Sequence, residues 1–424
     1  MQFSQKNAKI FMHVDGDAFF ASCEQATNMQ WRGKPIAVGR ERGIVTAISY
    51  EAKALGVRRP MSQTALSREF PQVALLASDY RKYELFSERM KSIVRRYVSD
   101  ISEGSIDECF ADVSSVTTWS DVRGFAKALQ EELCIKLGLT ISIGVGPTMT
   151  IAKIASGFKK PRGLTIVTPE NLDMLNSVSL RKVPGIGGRT EQKLAEQGIL
   201  TIGNLLALAP HEIERRYNKP LVELAYELRG TSVRGIEARE NAQSVSSIQA
   251  FMEPIIAFAP LLTEFSRNIE RVCRKLRTQH ARMHAVTIGY KAFPDIHTLV
   301  TYTIKCPSPT NDPGTIMQLA EEALHAMYRK GVRYRAVYVG THGMLESAAQ
   351  QKLFTTAEDE TEEKRNTLND VVDTLMYRSG GLPLERASSL RPKQTRSEED
   401  TGTPLLKIPH SNKILNIPYL GTIQ

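Results

Sequence analysis

Two carboxylates stand at the end of an apolar strand. Ile10-Phe11-Met12-His13-Val14 reads as a buried strand, and Asp15-Gly16-Asp17 follows it directly. A spacing of two puts Asp15 and Asp17 on one face of an extended chain. A second acidic pair, Asp107-Glu108, opens another expected strand, Ile106 to Val113. Acids on the central strands of a sheet are costly unless something neutralises them. Divalent cations with oxygen ligands do so most simply. The chain is therefore constrained to bring two strand ends together, and the chemistry that uses such clusters is phosphoryl transfer with two metals roughly 3.5–4 Å apart. Asp107 and Glu108 are neighbours, so they share a metal only near a turn or bulge. A plainer role also stands: Asp15 and Asp17 would cap a helix at Ala18, and Asp107-Glu108 would be surface acids in a turn.

The rest of the first half alternates. Helices are expected from Ala18 to Met29, from near Tyr50, from Asp79 to Val98, from Val122 to Leu137 and from Thr150 to Ser156. Strands are expected at Pro35–Val38, Gly43–Ala47 and Leu139–Val145. This pattern gives an α+β sheet with helices on one side. Leu180 to Ile236 reads as all-helical. A polar stretch, Asn241 to Ser247, reads as a link to a separate α+β unit over 248–345, with a helix from Ala259 to Arg277 and strands at Ala285–Phe293, Leu299–Ile304 and Arg335–Gly340. With 424 residues, two or more domains are expected.

The charge is uneven. From Glu346 onward 12 acids face 10 bases, so of the net +9 the residues before it carry +11. A basic body suits a polyanion such as nucleic acid, although a solubilising surface would look the same. Tyr50, Lys53, Lys153 and Lys160 are candidate triphosphate contacts. Val183-Pro184-Gly185-Ile186-Gly187-Gly188-Arg189 joins two helices through small residues, whose backbone N–H groups could cradle a DNA phosphate. Arg267, Arg271, Arg274, Lys275 and Arg277 crowd one helix, either a solvated face or a contact that tracks a DNA backbone. Five scattered cysteines without C-x-x-C spacing argue against a disulfide framework or a zinc site. No apolar run approaches a membrane span or a signal peptide, so a cytoplasmic location is expected.

In order, the segments His13-Val14-Asp15-Gly16-Asp17-Ala18-Phe19-Phe20, Ser49-Tyr50-Glu51-Ala52-Lys53, Ser105-Ile106-Asp107-Glu108, Ala152-Lys153-Ile154-Ala155-Ser156, Lys160-Pro161 and Val183-Pro184-Gly185-Ile186-Gly187 resemble the Y-family DNA polymerases. The resemblance implies an α+β multidomain right hand: ferredoxin-like palm (1–30 and 78–168), small fingers (31–77), helical thumb with a helix-hairpin-helix turn (169–238), linker (239–247), α+β little finger (248–345) and C-terminal tail (346–424). It implies a template-directed polymerase of low fidelity, acting in translesion synthesis, DNA repair and the SOS response. Primer–template DNA and dNTP are the implied partners. Carried over, Asp15, Asp107 and Glu108 would be catalytic and bind two Mg²⁺ ions with the Gly16 carbonyl, and Asp17 would stand behind them. Phe19 and Phe20 would contact the nucleotide, Phe20 as the gate against a 2′-OH. Tyr50, Lys53 and Lys160 would hold the triphosphate, with Lys53 where the family usually has Arg. Gly185, Gly187, Arg189, Arg274 and Arg277 would contact DNA.

The tail carries Gln350-Gln351-Lys352-Leu353-Phe354, which resembles a sliding-clamp motif through Gln350, Leu353 and Phe354. The acidic run Ala357 to Glu363 reads as solvated. Leu368, Val371, Val372, Leu375 and Met376 share one face of a short helix. An alternative reading keeps the fold without catalysis, as a DNA- and clamp-binding adaptor. A cyclic-nucleotide synthase on a palm fold would leave the Gly185–Gly187 turn without a role.

Overall fold

The computed structural model describes residues 9–236, 244–346 and 357–378. They form two compact units that divide after residue 240.

The first unit begins with β1 (Phe11–Gly16) and α1 (Phe19–Thr27). A small lobe follows: β2 (Ile36–Val38), β3 (Ala47–Ile48), α2 (Tyr50–Ala54), α3 (Gln63–Glu69) and β4 (Ala74–Leu76). Then come α4 (Tyr80–Tyr97), β5 (Ile101–Glu103), β6 (Glu108–Asp112), α5 (Val122–Leu137), β7 (Ile141–Gly146), α6 (Met149–Ser156) and β8 (Leu164–Ile166). The main sheet has the order β5-β6-β1-β7-β8, with β1 antiparallel to both neighbours. Alternation sorts its faces. Met12, Val14, Cys109, Ala111, Ile141, Ile143 and Val145 point into one core with Tyr83, Phe86, Leu129 and Leu133 of α4 and α5. Truncating Leu129 there would cost about 2–5 kcal/mol.

The expectation of helices on one side holds for α1, α4 and α5 but not for α6, which lies on the opposite face. Glycines permit this. A Cβ on Gly144 would sit 2.1 Å from the Ala152 carbonyl oxygen and 2.2 Å from the Ser156 nitrogen, and one on Gly146 would sit 2.6 Å from Ile151. Helix α6 therefore rests on bare backbone. Its outer residues Ile151, Ile154 and Ala155 join a second core with the helices that follow.

Those helices are α7 (Gly188–Ala195), α8 (Ile202–Leu206), α9 (Pro210–Arg216) and α10 (Lys219–Leu228). Glu227, fully buried, accepts from the backbone N–H groups of Thr150, Val233 and Arg234. This one carboxylate ties α10 to α6 and fixes the chain's exit.

The small lobe departs from expectation. Only Ala47–Ile48 pair with β2; residues 40–42 make a tight helical turn between Gly39 and Gly43, both at positive φ. Ile44 and Val45 bond to Met61 and Ser62 instead.

The second unit holds β9 (Ser246–Ile255), α11 (Phe258–Thr278), β10 (Ala281–Ala292), β11 (Val300–Thr310), α12 (Pro313–Met327), β12 (Tyr334–Glu346) and α13 (Ala357–Arg378). Its antiparallel sheet runs β11-β10-β12-β9 and packs on α11 and α12 through Phe265, Val272, Val286, Ile288, Ile316 and Val337. Sequence reading missed β9, α12, α3, β4, β5 and β8, and placed Ser246 and Ser247 in the linker although they start β9. The acidic run forms the first part of α13. That helix docks by polar groups: Asn369 donates to Asp312 at 3.0 Å, and Asp373 receives Arg277 at 2.6 and 3.0 Å. Leu368, Val371 and Leu375 stay exposed.

Candidate active site

The acids meet on the α6 side of the main sheet. Asp15 on β1 is the direct partner of Glu108 on β6, and His13 is the partner of Phe110. All four share a face. Asp107 precedes the strand, and its carbonyl accepts from Gly16 N at 2.8 Å. A bend at residues 105–107 precedes the strand, and the Asp107 carboxylate is not among the groups that cluster most closely. Oxygens of Asp15 and Glu108 and a nitrogen of His13 lie within 4.8 Å of one another. Asp107 has Ser105 Oγ at 2.5 Å from its carboxylate and is near enough for its charge to raise Asp15.

The carboxylates differ in environment. Burial raises Asp15 above the usual range, and an ion pair with Lys160 offsets this only in part. Glu108 moves the other way, down to about 2, chiefly through the hydrogen bond from His13 and then through Lys153. Its partners are His13 Nε2 at 3.0 Å and Lys153 Nζ at 2.6 Å. Asp17 is fully buried and raised by burial. It accepts from Ser142 Oγ at 2.8 Å and from the Arg162 backbone N–H at 2.7 Å. Asp17 therefore anchors the turn that carries Lys160.

Between Asp17 and α1, Ala18 sits at φ 48, a left-handed conformation that costs an alanine roughly 1–2 kcal/mol. The bend turns the chain from strand to helix within two residues. Phe19 then falls into the core under Gly16, where a Cβ would meet its ring at 2.6 Å. Phe20 points the other way, half-buried, and stacks on Tyr83 with ring centroids 4.4 Å apart. Tyr83 is held in turn by Glu24 at 2.8 Å.

Tyr50 opens α2, which Ser49 caps. Burial, and then the charges of Asp17 and Asp15, push its phenol well up. Lys53 is exposed, with its ammonium 5.5 Å from the Tyr50 ring. Lys160 reaches Asp15, and the charges of Asp17 and Asp15 act on Tyr50, so both residues border the acids.

Gly185 has φ 91, and Cβ positions at Gly185, Gly187 and Gly188 meet nothing within 4 Å. Arg189 beside them is exposed. The two other arginines expected to meet DNA are not equivalent. Arg277 departs from expectation: its guanidinium is buried and consumed by Asp373 and the Asn311 carbonyl. Arg274 lies 3.8 Å from the same acid. Gln350, Leu353 and Phe354 lie outside the described residues.

His13 was not singled out from sequence. The signal was there: it sits two residues before Asp15 and so shares its face. Lys153, a candidate triphosphate contact by sequence, pairs with Glu108, and Ser156, three residues further along α6, reaches His13.

The impB/mucB/samB family matches residues 14–157, and the C-terminal domain of that family matches residues 242–353. A DNA polymerase IV of Methanoculleus marisnigri is 34% identical over 75% of this chain and 89% of its own length. The chain belongs to the Y-family DNA polymerases. A DNA polymerase IV of Stenotrophomonas maltophilia is 31% identical over 81% of this chain and 95% of its own length. Among solved structures, a Y-family DNA polymerase chimera superposes with a TM-score of 0.69 at 24% identity, covering 78% of this chain and 98% of that one. An insertion ternary complex of Dbh DNA polymerase gives a TM-score of 0.56 at 24% identity, over 79% and 99%. The protein is a DNA-directed DNA polymerase with the right-hand fold of that family. Among the described residues no helix is long and apolar enough to cross a membrane.

Proposed function

We propose that this Y-family polymerase extends a primer 3′ end opposite damaged template, in translesion synthesis of low fidelity, with Asp15, Asp107 and Glu108 as the catalytic carboxylates. The observation that carries this is the convergence of Asp15 and Glu108 as cross-strand partners, with Asp107 near enough for its charge to act on Asp15. Hard oxygen donors at this separation suit Mg²⁺. The Gly16 carbonyl adds a neutral donor. When bound, two Mg²⁺ ions would activate the primer hydroxyl and neutralise the triphosphate. The chain's own groups do the rest. Tyr50, Lys53 and Lys160 hold the triphosphate. Phe20, stiffened by Tyr83, lies under the sugar and rejects a 2′-OH, with Phe19 packing the floor. Gly185, Gly187 and Arg189 grip a backbone phosphate, and Arg274 remains a lesser candidate.

The palm would comprise 1–30 and 78–168, the fingers 31–77, the thumb 169–238 and the little finger 248–345. Gln350, Leu353 and Phe354 would bind the sliding clamp. The enzyme would work in the cytoplasm, in damage tolerance.

The test is primer extension with Mg²⁺ and single dNTPs, comparing wild type with Asp107→Ala. Template-directed addition by wild type and a loss of at least about a hundredfold in the variant are expected. DNA binding without extension by wild type would overturn the catalytic reading in favour of an adaptor.

A further inference from the structure

His13 is fully buried, and no part of the proposed chemistry uses it. Both ring nitrogens are engaged: Nδ1 lies 2.8 Å from Ser156 Oγ, and Nε2 lies 3.0 Å from Glu108 Oε2. The carboxylate can only accept, so Nε2 carries the proton. Ser156 Oγ is also 2.8 Å from the Lys153 carbonyl, and its one hydroxyl proton serves either that oxygen or Nδ1. Both assignments leave Nε2–H on Glu108. The Phe110 ring, 4.6 Å away, packs against the imidazole. The site exists because Gly144, the cross-strand partner of His13, lets α6 bring Ser156 down onto the sheet.

The two oxygens of Glu108 are held differently. Oε2 has the fully buried imidazole. Oε1 has Lys153, whose side chain is 34% exposed and can swing away. A cation can replace Lys153 at Oε1 while Oε2 stays fixed.

We propose that His13 is a positioning residue for nucleotide addition: pinned by Ser156, it locks one oxygen of Glu108 and presents the other to the divalent cation. This rests on the reading of Glu108 as a metal ligand. With both nitrogens committed, His13 is not itself a ligand. Histidine–carboxylate supports of this kind raise metal affinity about 10–100-fold.

The test uses the full chain bound to a dideoxy-terminated primer–template and the correct dNTP, with Mn²⁺ binding read by electron paramagnetic resonance. His13→Leu should weaken Mn²⁺ by roughly tenfold or more, while the KM for dNTP, read separately by extension of a primer with a free 3′ hydroxyl, stays unchanged. His13→Gln, which keeps an N–H for Glu108, should recover most of the loss. Unchanged Mn²⁺ affinity in folded His13→Leu overturns the proposal. So does a His13→Gln as weak as His13→Leu, because the donor would then be irrelevant. If His13→Leu does not fold, Ser156→Ala replaces it: a several-fold weakening supports the proposal, and none overturns it. Glu108→Ala separates the two levels. If it binds Mn²⁺ as wild type does, the reading of Glu108 as a metal ligand itself falls, and the His13 proposal with it.

Discussion

The palm sheet and the little-finger sheet are both α+β layers, yet they finish their second faces differently. In the palm, strands of three to six residues expose a face that α6 half covers, and that face holds His13, Asp15, Glu108 and Asp17 in little water. In the little finger, strands of 10 to 13 residues carry α11 and α12 on one side. The other side bears groups such as the exposed Thr287–Thr303 hydroxyl pair at 2.9 Å. The contrast teaches that the burial which makes charges interact strongly also makes them intolerant of change, whereas a wet polar face is cheap to alter.

The sharpest way to break that contrast is volume. Gly144→Val would drive α6 off the palm sheet and should cost at least about 1–3 kcal/mol, with loss of activity. Thr303→Ala should stay within about 0.5 kcal/mol. Urea unfolding of both variants checks this, and equal costs would remove the distinction. Next in size is sugar selection. Phe20→Ala, which empties the site stacked on Tyr83, should raise ribonucleotide use relative to dNTP by at least about tenfold in single-nucleotide extension.

Acid sharpens the comparison further. Glu108 has its folded pKa lowered from 4.5 to about 2. Its stabilising contribution is therefore complete above 4.5 and is lost as pH falls through that window towards 2. Asp15 and Asp17 are raised, so their ionisation opposes folding at neutral pH, and protonation relieves it. Glu108→Gln should accordingly flatten the loss of palm stability between about pH 4.5 and 2, read by unfolding midpoints. The smallest effect concerns DNA. Arg189→Ala should reduce the salt slope of primer–template binding by about 1. Arg277→Ala should leave the slope unchanged, because Asp373 already holds that charge.

Much of the palm could be read in advance because its signals are local. Asp79 and Thr148 cap their helices by accepting from the backbone N–H groups of Lys82 and Ile151, and a left-handed Gly138 ends α5. The Asp15–Glu108 pairing was suggested by carboxylates at two strand ends. What escaped was long-range. Nothing near Gly144 in sequence shows that a helix rests on it, and nothing near His13 names Ser156, 143 residues away. Arg277 looked free because Asp373 lies 96 residues further on. Strand β9 was missed for a local reason: its polar start, Ser246-Ser247, looked like linker.

The close seat of α6 on Gly144 also links durability to turnover. One helix carries Lys153 and Ser156 toward the acids and buries Ile151, Ile154 and Ala155 in the thumb core. Substitutions along α6 should thus shift melting temperature and catalytic rate in concert. Changes in the small lobe, whose core of Ala37, Val45, Ile48 and Leu66 is separate, are free to retune substrate choice without that penalty. Adaptation to new templates has its room in the fingers, and α6 is where warmth and speed constrain each other.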